Sequence, residues 1–295
     1  MIPLLPDEVA SAAQLACLLE VNVSKPGNVS RNHDFADCRF EDFLASVVAI
    51  GPAFRESARS SVGEIILGAV KATRGLVGTN TNLGLAIVLA PLAKAAAAGH
   101  PGGLRPAVAE VLAGLTEEDA RTCYEAIRTA APAGMGKAGR GDVYAGNAGL
   151  TLLEAMELAR GRDALAREYV TGFQVTFEIG APTLRKLWES GCRFSDCILQ
   201  AFLTILAQTP DSLIARKNGP AAAERVSGLA REVLEEGGVF SKKGLDEVKK
   251  LDVALRDGRH LLNPGTTADL TAAALFAFLV EGRMLDRFRE LLHRW

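Results

Sequence analysis

Apolar residues recur along this chain at helical spacing. Two stretches show the pattern most plainly, Phe43, Val47, Ile50 and Phe54, and then Ile198, Phe202, Ile205 and Leu206. Strict alternation of apolar and polar residues, which is typical of half-buried strands, is hard to find. The chain also has 47 alanines, the residue with the highest helix propensity. The pattern therefore predicts an all-α protein.

Helix starts can be placed from capping residues. Ser61, Asp163 and Ser195 each precede an apolar-periodic run, Asp7 precedes the first one, and Thr116 with Asp119 resembles a capping box. About twelve helices are predicted on this basis. They cover residues 7–22, 40–57, 61–74, 80–98, 105–114, 117–131, 146–160, 163–189, 195–208, 221–236, 242–257 and 267–292.

The predicted organisation is one compact multi-helix domain over residues 1–295, with about ten to twelve helices and a ligand site where helices meet. No fixed-period repeat and no Ser/Pro-rich linker divides the sequence. Pro52, Pro91 and Pro182 fall inside predicted helices, where proline kinks or splits a helix.

Charge and cysteine spacing exclude several classes of protein. The 33 Lys and Arg against 35 Asp and Glu give a net charge of -2, so no broad positive field favours nucleic acid. The most apolar stretch, residues 83–99, is interrupted by Pro91 and Lys94 and is shorter than the ~20 residues of a membrane span. The five cysteines lack CxxC spacing, which argues against zinc and disulfides, and no signal peptide is recognised. We expect a cytoplasmic protein with no membrane partner.

Five polar junctions that contain glycine interrupt the helices. They are residues 24–37 (SKPGNVSRNHDFAD), 78–84 (GTNTNLG), 134–147 (GMGKAGRGDVYAGN), 211–219 (DSLIARKNG) and 263–269 (NPGTTAD). Glycine lets backbone approach a ligand closely, and polar loops commonly carry function. The GxGxxG at Gly134, Gly136 and Gly139 follows a helix rather than a strand, so it does not predict a dinucleotide site.

The charged residues of these junctions fit a polyphosphate and a metal ion. The candidate phosphate-binding cations are Lys25, Arg31, Lys137, Arg140, Arg216 and Lys217. The carboxylates, which Mg²⁺ prefers as ligands, are Asp34, Asp37, Asp142, Asp211 and Asp269. Thr266 and Thr267 begin a helix whose free N–H groups can face an anion. We therefore predict that the junctions converge on one acidic and cationic cavity.

The segments KPGNVSRNHDFAD, GTNTNLG, RGD, DSLIARKNG and NPGTTADL occur in this order between residues 25 and 270. Together they resemble the motifs of the triphosphoribosyl-dephospho-CoA synthase family. The resemblance implies an all-helical enzyme that serves the prosthetic group of citrate lyase or malonate decarboxylase. It implies transfer of the triphosphoribosyl group of ATP to the ribose 2′-hydroxyl of 3′-dephospho-CoA, with release of adenine. A coenzyme-precursor acceptor, ATP and Mg²⁺ are the implied partners.

Individual positions match the family unequally. Asn80 and Thr81 fit its NTHKG segment, but Asn82 and Leu83 stand where His and Lys are expected, and Asp142 follows RG where Glu is usual. The closest matches are Lys25, Pro26, Gly27, Arg31, Asn32, His33 and Asp34 in the first motif, and Pro264, Gly265, Ala268, Asp269 and Leu270 in the last.

Displacing adenine from ribose C1′ builds positive charge on the sugar, so the reaction needs a nearby carboxylate and a base for the acceptor hydroxyl. Asp34, Asp142 and His33 are the candidate bases, and the sequence does not choose among them. Asp37 and Asp269 are the predicted Mg²⁺ ligands. The predicted phosphate and substrate contacts are Lys25, Gly27, Arg31, Asn32, Asn80, Thr81, Arg140, Arg216, Lys217, Gly265, Thr266 and Thr267.

Two other functions stay open on the sequence alone. One is phosphoribosyl-type transfer from ATP or phosphoribosyl pyrophosphate to a different acceptor, such as a pterin or arylamine, which the change at Asn82 and Leu83 favours. The other is a nucleotide-binding helical protein without turnover. The terminal helix mixes leucines with arginines and could also serve as a face for homo-oligomerisation.

Overall fold

The computed structural model describes residues 1–132, 143, 149–256, 259–285 and 288–295. Within these residues the chain forms fifteen α-helices, one π-helical turn and one 3-10 turn. The same residues contain no β-strand, only an isolated bridge between Ser30 and His33. The all-α prediction is confirmed, and the predicted count of ten to twelve helices is too low.

The helices are α1 Pro6–Asn22, α2 Phe40–Arg55, α3 Val62–Leu76, α4 Leu83–Ala98, α5 Leu104–Ala113, α6 Glu117–Ala130, α7 Leu152–Ala159, α8 Ala164–Thr171, α9 Ala181–Glu189, α10 Phe194–Gln208, α11 Ser212–Asn218, α12 Pro220–Glu235, α13 Lys242–Leu255, α14 Gly265–Glu281 and α15 Phe288–His293. The π-helical turn is Val175–Gly180 and the 3-10 turn is Gly238–Phe240.

The predicted helix 163–189 is interrupted in the structure. Helix α8 ends at Thr171 and is followed by Gly172, which has a φ of 63°. The buried Glu168 carboxylate accepts hydrogen bonds from the Val175 N–H at 2.8 Å and the Thr176 N–H at 2.9 Å. These bonds satisfy backbone donors where a new helical segment begins. A buried side chain that caps the next segment is a tertiary feature, which periodicity alone does not reveal.

Two further differences account for the rest of the count. The predicted helix 267–292 is divided, because α14 ends at Glu281 and α15 begins at Phe288. Residues 212–218, predicted as a polar junction, form the short helix α11. Predicted caps Ser61 and Asp163 are confirmed, whereas α10 begins at Phe194, one residue before the predicted cap Ser195.

One carboxylate joins the starts of α3 and α6. Asp119 and Thr116 form the predicted capping box at the start of α6. Asp119 Oδ1 also accepts a hydrogen bond of 2.8 Å from the Gly63 N–H in the first turn of α3. A Cβ at Gly63 would lie 2.6 Å from the Asp119 carbonyl oxygen, so the close contact requires glycine.

Helices α4 and α14 lie at the centre of the fold and are buried along most of their length. Helix α14 packs against α1, α4, α10 and the π-helical turn. A second, smaller apolar cluster joins α10, α11, α12 and α13. This packing brings the N-terminal ends of α4 and α14, which follow two of the polar junctions, to the same side of the core.

No single helix within the described ranges is long and apolar enough to span a bilayer. Helices α10 and α11 taken together are long and apolar enough, but they are bent by 52° with respect to each other.

Candidate active site

A cavity of about 1860 Å³ lies where the polar junctions meet. Four of the five junctions predicted from the sequence contribute to its wall. The fifth, residues 134–147, lies outside the described residues except for Val143, which lines the cavity. The volume exceeds the roughly 300–1,000 Å³ of ordinary small-molecule pockets, so the cavity has room for two ligands.

Five helices of eight or more residues begin at the cavity wall. Their first residues, all of which line the cavity, are Leu83 of α4, Leu152 of α7, Ala164 of α8, Pro220 of α12 and Gly265 of α14. The first N–H groups of a helix have no partner within it, and the helix dipole makes that end electropositive. Side-chain caps take up the first N–H groups of α8 and those of Leu83 and Thr267, so these helix ends favour an anion in the cavity mainly through their dipoles.

Asp211 links the starts of α11 and α14 through hydrogen bonds. Its Oδ1 caps α11 through the Leu213 N–H at 2.9 Å and the Ile214 N–H at 3.0 Å. Its Oδ2 accepts from the Thr267 N–H at 2.7 Å and the Thr267 hydroxyl at 2.8 Å. Thr267, a predicted phosphate contact, is thus buried and bound to Asp211, and it does not line the cavity.

Helix α8 joins the same assembly through two hydroxyl groups. Ser212 Oγ accepts a hydrogen bond of 3.2 Å from the Ala164 N–H and donates one of 3.1 Å to Thr266 Oγ1. Thr266 and Gly265, both predicted contacts, line the cavity. The starts of α8, α11 and α14 therefore form one hydrogen-bonded unit.

The Asp269 carboxyl lines the cavity beside the start of α4. A Cβ placed at Gly84 would lie 2.0 Å from Asp269 Oδ2, so only glycine admits the carboxyl there. Burial raises the pKa of Asp269 well above its usual value, and the carboxyls of Glu20 and Asp211 raise it further. Arg216 opposes this rise. A carboxyl in such surroundings favours a proton or a bound cation.

Glu20 also lines the cavity, and Lys25 lies behind it. Lys25 Nζ is 2.9 Å from Glu20 Oε1 and donates a hydrogen bond of 2.9 Å to the Val23 carbonyl. Only 1% of Lys25 is exposed and it is absent from the cavity wall. Burial raises the pKa of Glu20, and Lys25 opposes that rise. The structure thus places Lys25, a predicted phosphate contact, in a buried ion pair that holds a cavity carboxyl.

The turn at residues 25–28 (KPGN) is hydrogen-bonded to α13 and to the segment before α14. The Gly27 N–H donates to Asp252 Oδ1 at 2.9 Å, and the Asn28 amide donates to Asn263 Oδ1 at 2.7 Å. Gly27 has a φ of 75°, a conformation that disfavours other residues, and a Cβ there would meet the Leu255 Cβ at 2.8 Å. Asn28 lines the cavity and Gly27 does not. The predicted site residue Gly27 thus shapes the turn.

Arg31, Asn32, His33 and Asp34 are exposed and are not among the residues that line the cavity. Arg31 donates a 2.8 Å hydrogen bond to Asn22 Oδ1, and Asn32 donates one of 3.2 Å to Ser24 Oγ. Asp34 Oδ1 accepts from the Phe40 N–H at 2.8 Å, at the start of α2. The structure gives these four residues local partners and does not bring them into the cavity.

Asn80 and Thr81 line the cavity, as predicted positions of the second motif. Asn80 Oδ1 accepts a hydrogen bond of 3.2 Å from the Leu83 N–H and so helps to begin α4. The hydroxyl of Thr81 is bonded to that of Ser46. Asn82 is buried and donates to the Thr73 hydroxyl. Asn82 and Leu83, which depart from the family pattern, both line the cavity, and the Asn82 amide also supports the fold locally.

Arginines and one lysine supply the positive charge of the wall. Arg216 and Lys217, both predicted, line the cavity, and Lys217 Nζ donates to the His260 carbonyl at 3.0 Å. The sequence analysis did not single out Arg160 or Arg162, which line the cavity between α7 and α8. The RGRD sequence that ends at Asp163 is itself a polar, glycine-containing junction, so the same signal could have found it.

Asp37, the second predicted metal ligand, lines the same cavity as Asp269. Among the described residues, no group of three or more His, Cys, Asp or Glu side chains is arranged to hold a metal by itself. The predicted base Asp142 and the predicted phosphate contact Arg140 lie outside the described residues.

An aromatic pair was also missed by the sequence analysis. The rings of Phe35 and His260 stack with centroids 3.7 Å apart and planes at 15°, and both residues line the cavity. They come from the first junction and from the segment before α14. The stack therefore closes the cavity wall between two motifs that are far apart in the sequence.

The chain is similar to known proteins over most of its length. Residues 6–288 match the family described as ATP:dephospho-CoA triphosphoribosyl transferase. A solved structure from Archaeoglobus fulgidus, assigned as a triphosphoribosyl-dephospho-CoA synthase, is similar with a TM-score of 0.64 and 29% identity. The match covers 81% of this chain and 99% of that one.

Two relatives carry the name 2-(5''-triphosphoribosyl)-3'-dephosphocoenzyme-A synthase or are assigned to it. The protein from Klebsiella pneumoniae is 26% identical over 93% of this chain and 91% of its own length. The protein from Malonomonas rubra is 30% identical over 44% of this chain and 43% of its own length, so that alignment spans less than half of the relative. The family match extends over nearly all of the sequence, and the chain belongs to the ATP:dephospho-CoA triphosphoribosyl transferase family.

Proposed function

We propose that this protein transfers the triphosphoribosyl group of ATP to the 2′-hydroxyl of 3′-dephospho-CoA and releases adenine. The observation that carries the proposal is the single cavity of about 1860 Å³, in which helix N-termini, cations and carboxyls of the family's motifs meet. Membership of the family and the names of its relatives support the same reaction. The cytoplasmic location, homo-oligomerisation and one-domain organisation stay predictions.

The transfer breaks the bond between ribose C1′ and adenine N9 and forms a bond between C1′ and the acceptor oxygen. Adenine leaves with the bonding electron pair and takes up a proton, while the acceptor hydroxyl loses one. Positive charge develops on the ribose as adenine departs, so carboxylates in the cavity lower the barrier. Arg216 and Lys217, with the helix dipoles, bind the phosphates of the donor and thereby fix C1′ against the acceptor.

Glu20 is the proposed acceptor of the hydroxyl proton. It faces the cavity, and burial raises the pKa of its carboxyl, which makes the carboxylate a stronger base. Lys25 fixes the carboxyl in place from the buried side. Asp34 and His33, two of the bases predicted from sequence, do not line the cavity, whereas Glu20 does.

The cavity fits a magnesium ion that arrives with its nucleotide. Mg²⁺ commonly binds through one or two carboxylates together with substrate phosphates. Asp269 and Asp37 would hold it, and the raised pKa of Asp269 indicates a carboxyl whose negative charge lacks compensation. When bound, the ion supplies positive charge at the triphosphate.

The test is to incubate the protein with ATP, Mg²⁺ and dephospho-CoA and to measure adenine by chromatography. Adenine is expected only when the acceptor is present, with a stoichiometric product whose mass equals both substrates minus adenine. CoA, which carries a 3′-phosphate beside the 2′-hydroxyl, serves as the matched acceptor control.

Other outcomes would contradict the proposal. Pyrophosphate release from phosphoribosyl pyrophosphate with a pterin or arylamine, without adenine release from ATP, would replace the donor and acceptor. Nucleotide binding with neither product would indicate a non-catalytic protein.

A further inference from the structure

The cavity has an apolar wall as well as a polar one. Side chains of α6 and α7, two helices that pack against each other, supply it: Tyr124, Ile127, Ala155, Met156, Leu158 and Ala159. The cavity carboxyls Glu20, Asp37 and Asp269 do not belong to this wall, and of the helix N-termini only that of α7, at Leu152, adjoins it. The polar and apolar parts belong to one cavity, so a ligand that is polar at one end and less polar at the other could occupy both.

The two substrates of the proposed reaction differ in this respect. ATP consists of a base, a sugar and phosphates. Dephospho-CoA has the same kind of adenosine and a diphosphate, to which a long pantetheine arm of methylene, methyl and amide groups is attached. Adenine, which both substrates carry, can also pack on apolar side chains, but only the acceptor has in addition a long arm of methylene and methyl groups to bury against them.

The apolar and charged residues from α7 to α8 occur in the same order as the apolar and charged groups of the acceptor. Helix α7 ends at Ala159, Arg160 and Arg162 follow, and Asp163 caps α8 close to Asp269. In dephospho-CoA the diphosphate likewise lies between pantetheine and adenosine. Cations between an apolar wall and the reaction centre match that sequence of groups.

We propose that the α6–α7 wall binds the pantetheine arm of the acceptor, with Arg160 and Arg162 at its diphosphate, so that Leu158 and its neighbours determine acceptor specificity. This inference rests on the proposed function. It assigns the helix N-termini near Asp269 to the reacting sugars and the donor triphosphate, and the far end of the cavity to the acceptor alone.

Leu158 allows a test that leaves the core intact. It is 44% exposed and lines the cavity, so Leu158→Asp removes apolar contact without burying a charge in the core. Leu245 on α13 is 42% exposed and lies outside the wall, which makes Leu245→Asp a matched control. Melting temperatures of both variants check that the fold is retained.

We expect Leu158→Asp to raise the KM for dephospho-CoA about fivefold to tenfold, the scale of one lost apolar contact, with the KM for ATP unchanged. Leu245→Asp should change neither constant. A readout besides activity is the calorimetric Kd of two probes: dephospho-CoA should bind the Leu158 variant more weakly, whereas ADP, which lacks pantetheine, should bind as it does to the unaltered protein.

The results separate this inference from the reaction itself. Equal loss of ADP and dephospho-CoA affinity, or no loss of either, would overturn the assignment of the wall while adenine release by the unaltered protein still supported the reaction. Absence of acceptor-dependent adenine release from the unaltered protein would overturn the proposed function, and the inference with it.

Discussion

Asp269 Oδ2 lies so close to Gly84 that a Cβ at residue 84 would stand 2.0 Å from it. Two helices that begin at the cavity, α4 and α14, thus meet through a carboxyl and a glycine. The contact explains why glycine occupies the first turn of α4, where alanine would otherwise favour the helix.

Gly84→Ala should displace the Asp269 carboxyl and lower kcat at least ~10-fold, because small misplacements of reacting groups are costly. The matched control is Gly75→Ala in α3, where an added Cβ meets nothing within 4 Å. That control should keep full activity and gain a few tenths to ~1 kcal/mol of stability from helix propensity. Full activity of Gly84→Ala would show that the position of the Asp269 carboxyl does not matter.

Asp269→Asn should lower kcat by ~100-fold or more, because it removes a carboxylate from the reaction centre. It should also stabilise the protein at neutral pH. Since the folded-state pKa of Asp269 is raised, the folded protein binds the proton more tightly, and stability falls as pH rises from about 3.9, the usual value, through the raised pKa.

The measurement for Asp269→Asn is the melting temperature of both proteins from pH 4 to pH 8. The variant should melt at a higher temperature at pH 8, and the difference should shrink toward pH 4. A variant that is less stable at pH 8 would contradict the raised pKa.

Lys25→Met tests the buried ion pair against the phosphate contact predicted from sequence. Breaking a buried pair leaves one charge without a partner, so we expect a loss of about 3–5 kcal/mol in the free energy of unfolding, measured by urea denaturation. The double variant with Glu20→Gln should recover part of it. An unchanged stability with a raised KM for ATP would instead support phosphate binding by Lys25.

Asp34→Asn separates the two proposals for the catalytic base. The resemblance alone predicts a loss of tenfold or more in turnover, on the scale of a lost acid or base. Asp34 is exposed and accepts a hydrogen bond from the Phe40 N–H, so the structure predicts a smaller effect than that of Glu20→Gln. The kcat values of the two variants, each with a normal melting temperature, decide between them.

Residues that the sequence marks by a local signal are the ones that the structure places on the cavity wall. Asn80, Thr81, Gly265 and Thr266 belong to helix starts, which have recognisable polar signatures, and all four line the cavity. Lys25 carries no such signal, because only the packing of the whole chain shows that it is buried.

The same limit applies to the fold. Helical spacing was enough for the all-α class, but the interruption after α8 depends on Glu168, whose carboxylate reaches the Thr176 N–H across a turn. A periodic apolar pattern continues through that turn and so predicts one helix. Likewise, the apolar wall of α6 and α7 looks like ordinary core in the sequence, and only the structure shows that its side chains line the cavity.

The size of the cavity also bears on the order of chemical events. A cavity that binds donor and acceptor together permits direct displacement at C1′ within a ternary complex, without a covalent intermediate between the ribosyl group and the protein. Initial-rate plots for the two substrates should then intersect rather than run parallel, and the acceptor oxygen should end on the face of the sugar opposite to the departed base.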